Sequence, residues 1–138
     1  MVPELRDFDG RWRIARTIED RLAPGGVFEG EAVFAAVPEG LAYHEAGLLR
    51  LGDGPGFQAE RSCLWRQEAG RIVVAFHDGR PFHDFDPAAP RARHLCIADA
   101  YAVCYDFTDW PFWRADWTVK GPRKDYTMVS RYSPAEVG

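Results

Sequence analysis

Gly10-Arg11-Trp12-Arg13-Ile14 is the stretch that decides how this chain reads. Trp12, Ile14 and Arg16 alternate with Arg13, Ala15 and Thr17, the two-residue period of a strand with one buried face. A tryptophan at the head of such a strand has no evident role except packing deep inside something. At the far end, Tyr126-Thr127-Met128-Val129-Ser130-Arg131-Tyr132 reads as the last strand. Everything between them turns at hairpin-sized intervals. The expectation is that the two end strands lie side by side and close the sheet into a tube, whose interior carries function.

The intervening strands follow from alternation and turn residues. Phe28, Gly30, Ala32 and Phe34 share one face, with Glu29 and Glu31 on the other. Leu41, Tyr43, Glu45, Gly47 and Leu49 line the third strand, and Phe57, Ala59, Arg61, Cys63 and Trp65 the fourth. Gly52-Asp53-Gly54-Pro55-Gly56 separates them, and Asp78-Gly79 marks a later hairpin. Short strands follow at 72–76, 81–85, 93–97 and from Asp99 to Phe107, then a ninth strand through Trp113, Ala115, Trp117 and Val119. Leu5 to Phe8 reads as a helical turn plugging one end, and Ser133 to Gly138 as a tail. No useful stretch has a 3.6-residue apolar period. The fold class is therefore all-β: a single antiparallel up-and-down meander of roughly ten strands, closed into a barrel. Closure removes the sheet edges, and ten strands leave room for a cavity.

At 138 residues, residues 1–138 form one domain able to bury its own core. Five Trp, five Tyr and nine Phe suit a wide interior or a pocket wall. A formal net charge of -4 argues against a nucleic-acid partner, because neutralising phosphates needs a basic face. Lys120, Arg123 and Lys124 read as a solvated turn. The Met1 region has no apolar run, so the chain reads as cytoplasmic, without a membrane partner. Cys63, Cys96 and Cys104 are an odd number at no metal-like spacing, and are expected to be reduced thiols. Cys96 and Cys104 are expected to behave as small buried hydrophobes.

Gly10-Arg11-Trp12, placed before a meander, resembles the Gly-X-Trp signature of the calycin barrels: lipocalins, fatty-acid-binding proteins and nitrobindin-like proteins. The whole chain also resembles an uncharacterised bacterial family of calycin-like proteins. That likeness is carried by Gly79-Arg80-Pro81-Phe82-His83, His94-Leu95-Cys96, Tyr105-Asp106-Phe107, Trp110-Pro111 and Gly121-Pro122-Arg123-Lys124-Asp125-Tyr126. The resemblance implies that Trp12 sits at the barrel base and that Arg131, from the last strand, packs over it as a cation–π closure. The signal peptide and disulfide of secreted lipocalins are absent from this pattern.

Following the face of Trp12 around the sheet collects the polar residues that turn inward. Glu45 lies between Tyr43 and Leu49, and Arg61 between Ala59 and Trp65, so adjacent strands offer a buried Glu45–Arg61 pair. Strand seven adds His94, strand eight Tyr101 and Tyr105, and strand ten Tyr126 and Ser130. An apolar pocket with a few convergent polar groups is how small-molecule sites are built. A ligand, largely apolar with a polar or anionic head, is the leading reading, with Arg61 clamping the head. Glu45 is expected to occupy that guanidinium, which favours a ligand that also offers a donor over a simple fatty acid. A cofactor-free lyase or isomerase using Tyr43, Glu45, Arg61, Tyr101 and Tyr105 is the alternative. The nitrobindin-like resemblance adds haem, with His94 as its ligand. His77 and His83 flank a hairpin and read as loop residues at its mouth, and the spacing supports no metal site. A filled structural barrel, as monomer or homodimer, with an exposed Trp110-Pro111-Phe112 patch, completes the alternatives.

Overall fold

The computed structural model describes residues 2–135. A 3-10 turn, Leu5–Phe8, leads into ten strands: β1 (Gly10–Asp20), β2 (Gly26–Val37), β3 (Gly40–Leu51), β4 (Phe57–Glu68), β5 (Arg71–Phe76), β6 (Pro81–Phe85), β7 (Arg91–Cys96), β8 (Asp99–Asp109), β9 (Phe112–Gly121) and β10 (Lys124–Pro134). They form one antiparallel sheet in the order β6-β5-β4-β3-β2-β1-β10-β9-β8-β7. The meander is as the alternation requires, and β1 pairs with β10 from Trp12↔Pro134 to Asp20↔Tyr126. Ser133 and Pro134 therefore belong to the last strand rather than to a tail, because β1 offers them ladder partners; residues 136–138 lie outside the described residues. The sheet curls into a nearly closed barrel. Its two edges, β6 and β7, face one another across a seam without a ladder.

The end of the barrel near the 3-10 turn is a floor of rings. Phe8 is fully buried, with ring centroids 4.9 Å from Trp110, 5.3 Å from Trp65 and 5.3 Å from Trp113. Trp12 is buried and donates its indole N–H to the Phe8 carbonyl at 2.8 Å, fixing the plug to β1. Trp113 and Tyr132 stack at 3.8 Å, almost coplanar. Trp110 is half-buried against this core, while Pro111 and Phe112 of the same patch are exposed.

Arg131 does not join this floor. Period-two alternation along β10 turns Ser130 and Tyr132 inward, which leaves Arg131 exposed outside, opposite Ala15 and Arg114. The closure over Trp12 is made by Phe8, Trp110 and Trp113 instead. Cys96 and Cys104 also prove exposed, since they sit on the short edge strand and on the outward face of β8, while Cys63 is half-buried; all three are free thiols.

Inward-facing side chains change character along the barrel. On β1, Trp12, Ile14 and Arg16 are buried, but Ile18 and Asp20 are not. On β10, Tyr132 and Ser130 are buried, while Met128, Tyr126 and Lys124 are half-buried. β3, β4 and β8 repeat the gradient. The floor half is filled; the other half opens toward a mouth. At the level of this change Gly30 and Gly47 are paired across β2 and β3. A Cβ on Gly30 would lie 2.1 Å from the Ala46 carbonyl oxygen, so only glycine permits the two backbones to close here.

Candidate functional site

Where the filled half meets the open half, the chain places its buried charges. Register sets Glu45 of β3 opposite Arg61 of β4 and opposite Ala32 of β2. The inward positions of β2 at this level are Gly30 and Ala32, small enough to let a long side chain from β1 cross them. Arg16 does so. Its Nη1 and Nη2 donate to Glu45 Oε2 and Oε1 at 2.8 and 2.9 Å, and its Nε donates to Ser130 Oγ at 2.7 Å. Its guanidinium lies 5.2 Å from the Phe28 ring.

Tyr43 donates its hydroxyl to Glu45 Oε1 at 2.6 Å. Since that proton is committed, the 2.9 Å contact between Tyr43 and Tyr132 has Tyr132 as donor. The resulting chain runs Tyr132 to Tyr43 to Glu45, with Arg16 closing the other side. Burial alone would push the Glu45 carboxyl up, but the Arg16 hydrogen bonds and the Arg61 and Arg16 charges outweigh it and hold it at about 2. Burial raises the Tyr43 and Tyr132 hydroxyls, so both remain protonated.

Arg61 is left over. Its Nε stands 3.8 Å from Glu45 Oε1, beyond hydrogen-bonding distance, and no other residue among those described accepts from it. Desolvation opposes its charge, Glu45 favours it, and the guanidinium is held more firmly charged than usual. The side chain is nevertheless 48% exposed, through the open half of the barrel. The expected Glu45–Arg61 pair is therefore secondary. Arg16, on the same face as Trp12, takes the carboxylate, because bidentate geometry beats a single longer contact. Two guanidinium charges against one carboxylate leave this layer with one positive charge.

A small cavity of about 70 Å³ adjoins Arg61, lined also by Cys63, His83, Tyr105, Trp117 and Tyr132. That is the room of about two water molecules, far less than the wide lumen expected from strand number. The aromatic residues that suggested a roomy pocket fill it. His83 is buried, correcting its reading as a loop residue: it shares the inward face of β6 with Phe85. Its Nε2 lies 2.9 Å from the Tyr105 hydroxyl, and its Nδ1 is buried without a partner. Burial, with His94 and Arg61 nearby, lowers its pKa to about 4 against the opposing charge of Asp84. Burial raises the Cys63 thiol to about 11, so it is an inert wall residue.

The other expected site residues are distributed around this layer. Trp65 is core and lines the cavity, and Tyr105 is buried beside His83. Ser130 accepts from Arg16. Tyr101 is half-buried at the mouth and accepts from Lys124 Nζ at 3.0 Å; Tyr126 faces the same opening. His94 lies at the seam, 5.3 Å from the Phe82 ring and 6.2 Å from Tyr101, and does not line the cavity. The cavity of about 70 Å³ is smaller than a porphyrin, and His94 stands outside it. Among the described residues no three His, Cys, Asp or Glu side chains are grouped to hold a metal ion.

Reading the sequence did not assign Arg16, His83, Tyr132, Cys63 or Trp117 to the site; Arg16 and His83 matter most for its charge and hydrogen bonding. Both carried a signal: Arg16 is in phase with Trp12, and His83 is in phase with Phe85. A larger groove, about 740 Å³, runs outside the barrel past Arg13, Arg114 and Arg131. Its three arginines meet three carboxylates, Glu29, Asp106 and Asp109, so it presents no net charge, and the candidate site is placed inside.

No curated protein matches this chain. Among solved structures, it is similar to the S-type phycobiliprotein lyase CPES from Guillardia theta, with a TM-score of 0.66 over 97% of this chain and 92% of that one, at 9% sequence identity. At that identity the likeness concerns the fold alone, an antiparallel barrel. Among the described residues no helix is long and apolar enough to cross a membrane. The model of one family, described as a family of unknown function (DUF6314), matches residues 8–134, and the chain belongs to it.

Proposed function

We propose that this protein binds a small, largely apolar molecule with an anionic head, the head resting against Arg61 and the tail lying in the open half of the barrel. The single observation that carries the reading is the uncompensated positive charge of the Arg16–Glu45–Arg61 layer, borne by a guanidinium that makes no hydrogen bond among the described residues. A buried or half-buried guanidinium without acceptors is costly unless something supplies them. Because Arg16 already occupies Glu45, a ligand needs no donor of its own, and a plain carboxylate head is favoured. Half-buried Leu49, Tyr101 and Met128 offer a wall for the tail.

Binding is favoured over acid–base chemistry by the state of Glu45. A carboxylate held at about 2 and engaged by three donors is a weak base. The barrel likeness to a lyase leaves small-molecule handling as the common theme.

Titration with sodium decanoate and with decanol, followed by tryptophan fluorescence, tests the proposal. Decanoate is expected to bind more tightly than decanol, and Arg61→Ala to weaken decanoate by roughly tenfold to a hundredfold, the worth of a charged hydrogen bond, while leaving decanol unchanged. Equal binding of both probes to the parent protein and to the variant would overturn it.

A further inference from the structure

We infer that the tip of the β7–β8 hairpin, with the β9–β10 turn beside it, docks on an anionic lipid bilayer. The inference rests on the proposed binding role and names the source of its amphiphile. Among the described residues the three most exposed large apolar side chains, Ile97, Leu95 and Leu22, all lie at the mouth end of the barrel. Ile97 is 97% exposed and Leu95 72%. Ile97 is also held at φ 58°, a left-handed conformation that costs a β-branched residue. It is the first residue of the two-residue connection between Cys96 and Asp99, a place that suits glycine or asparagine. Neither solvation nor turn chemistry favours isoleucine there; contact with an apolar medium does.

The charge around the tip selects the medium. The β9–β10 turn abuts the hairpin: a Cβ on Gly121 would lie 2.0 Å from Asp99 Oδ1 and 3.3 Å from the Ala98 carbonyl oxygen. Register aligns Leu95, Ala100 and Lys120 across three strands, and Arg93, Ala102 and Thr118 two residues further from the tip. The carboxylates nearby are engaged, Asp99 by Lys124 at 3.1 Å and Asp125 by Arg21 at 2.7 Å. Arg93, Lys120 and Arg123 are exposed, and none of them is in ion-pair contact with a carboxylate among the described residues. Unpaired cations around an apolar tip, on a chain whose overall charge is -4, fit a negatively charged lipid surface. A second copy fits less well, because two such tips face to face bring like cations together.

The pose also suits the ligand. A bilayer presents its anionic heads outward. A barrel standing mouth-down on it meets the head first, so the head passes inward toward Arg61 while the tail trails through the mouth. A contact of this kind needs no membrane-spanning segment.

Co-sedimentation with vesicles tests the inference, using phosphatidylcholine alone and phosphatidylcholine with about one-third phosphatidylglycerol. The protein is expected to bind the anionic vesicles, to leave the neutral ones, and to release at high salt. Ile97→Asn should lower binding roughly tenfold while holding or raising the urea midpoint, since asparagine accepts the turn conformation. Arg123→Glu should lower it roughly tenfold as well. Both variants should bind decanoate in solution as the parent protein does. No binding to anionic vesicles, equal binding to neutral ones, or binding indifferent to Ile97→Asn and Arg123→Glu would overturn the inference, even where Arg61→Ala still weakens decanoate. A dimer in sedimentation velocity that Ile97→Asn dissociates would also overturn it, by giving the tip to a second copy. Vesicle binding by a protein that does not distinguish decanoate from decanol would instead strike the reading on which the inference rests.

Discussion

The two halves of the barrel are built from the same strands with the same alternation, yet they do opposite things. In the floor half, each inward ring meets other rings around Phe8, and the interior is solid. In the mouth half, the next residues along those strands, Met128 and Tyr126 on β10 or Ala59 and Arg61 on β4, face inward and still reach solvent. Alternation chooses a face, but it does not choose a level. The level is set by the plug, which fills one end only, and by the layer of buried charge that separates the halves.

Removing that layer is expected to have the largest effect. Arg16→Ala leaves the Glu45 carboxylate buried with Arg61 only at 3.8 Å, and should cost about 3–5 kcal/mol by urea denaturation. A loss under 1 kcal/mol would mean that the two halves are not held apart by this pair. Arg61→Ala, four strands away in sheet order from β10 but in the same layer, should by contrast change stability by less than about 1 kcal/mol, because its contact with Glu45 is long and half-exposed.

Acid sharpens the comparison, because the two halves share two titrating groups with separate windows. His83 has its folded pKa lowered from 6.5 to about 4, so its contribution is complete above pH 6.5 and is lost as pH falls toward 4. Glu45 is lowered from 4.5 to about 2, so its contribution is complete above pH 4.5 and is lost as pH falls toward 2. Each is worth on the order of 3 kcal/mol. Urea midpoints measured from pH 8 to pH 2 should fall in two stages, and His83→Asn should remove the first. A flat profile between pH 6.5 and pH 4 would show that His83 is not buried as described.

The smallest effect is expected at Arg131. It lies outside the floor it was thought to close, so Arg131→Ala should move stability by no more than about 0.5 kcal/mol. A loss above 2 kcal/mol would return it to the closure.

Much of this architecture was legible because β-strands write their inward face in every second residue. Trp12, Tyr43, Glu45 and Trp65 all fall inside as their spacing requires, and the β1–β10 pairing follows from a chain of hairpins. What could not be read was which charge meets which. Glu45 has two arginines within reach, and the cross-strand partner Arg61 is nearer in register than Arg16, which must span β2 to arrive. That route depends on Gly30 and Ala32 being small, a three-body condition invisible in any one strand. His83 was passed over because strand six has only five residues beside a hairpin, too few for its phase with Phe85 to stand out. Arg131 failed for a plainer reason: the resemblance placed it by role, while its own phase, out of step with Ser130 and Tyr132, placed it outside.

The seam between β6 and β7 has a consequence for how the chain is wired. Read from edge to edge, the sheet runs β7, β8, β9, β10, β1 and on to β6, so the covalent backbone is joined where the wall is open and cut where the wall is continuous. Pro134 already lies across from Trp12. A rearranged polypeptide opened within the Asp86–Pro90 loop, with β10 spliced to β1 by a few residues, would trace the same sheet as one uninterrupted zigzag, its new ends hanging free at the two margins.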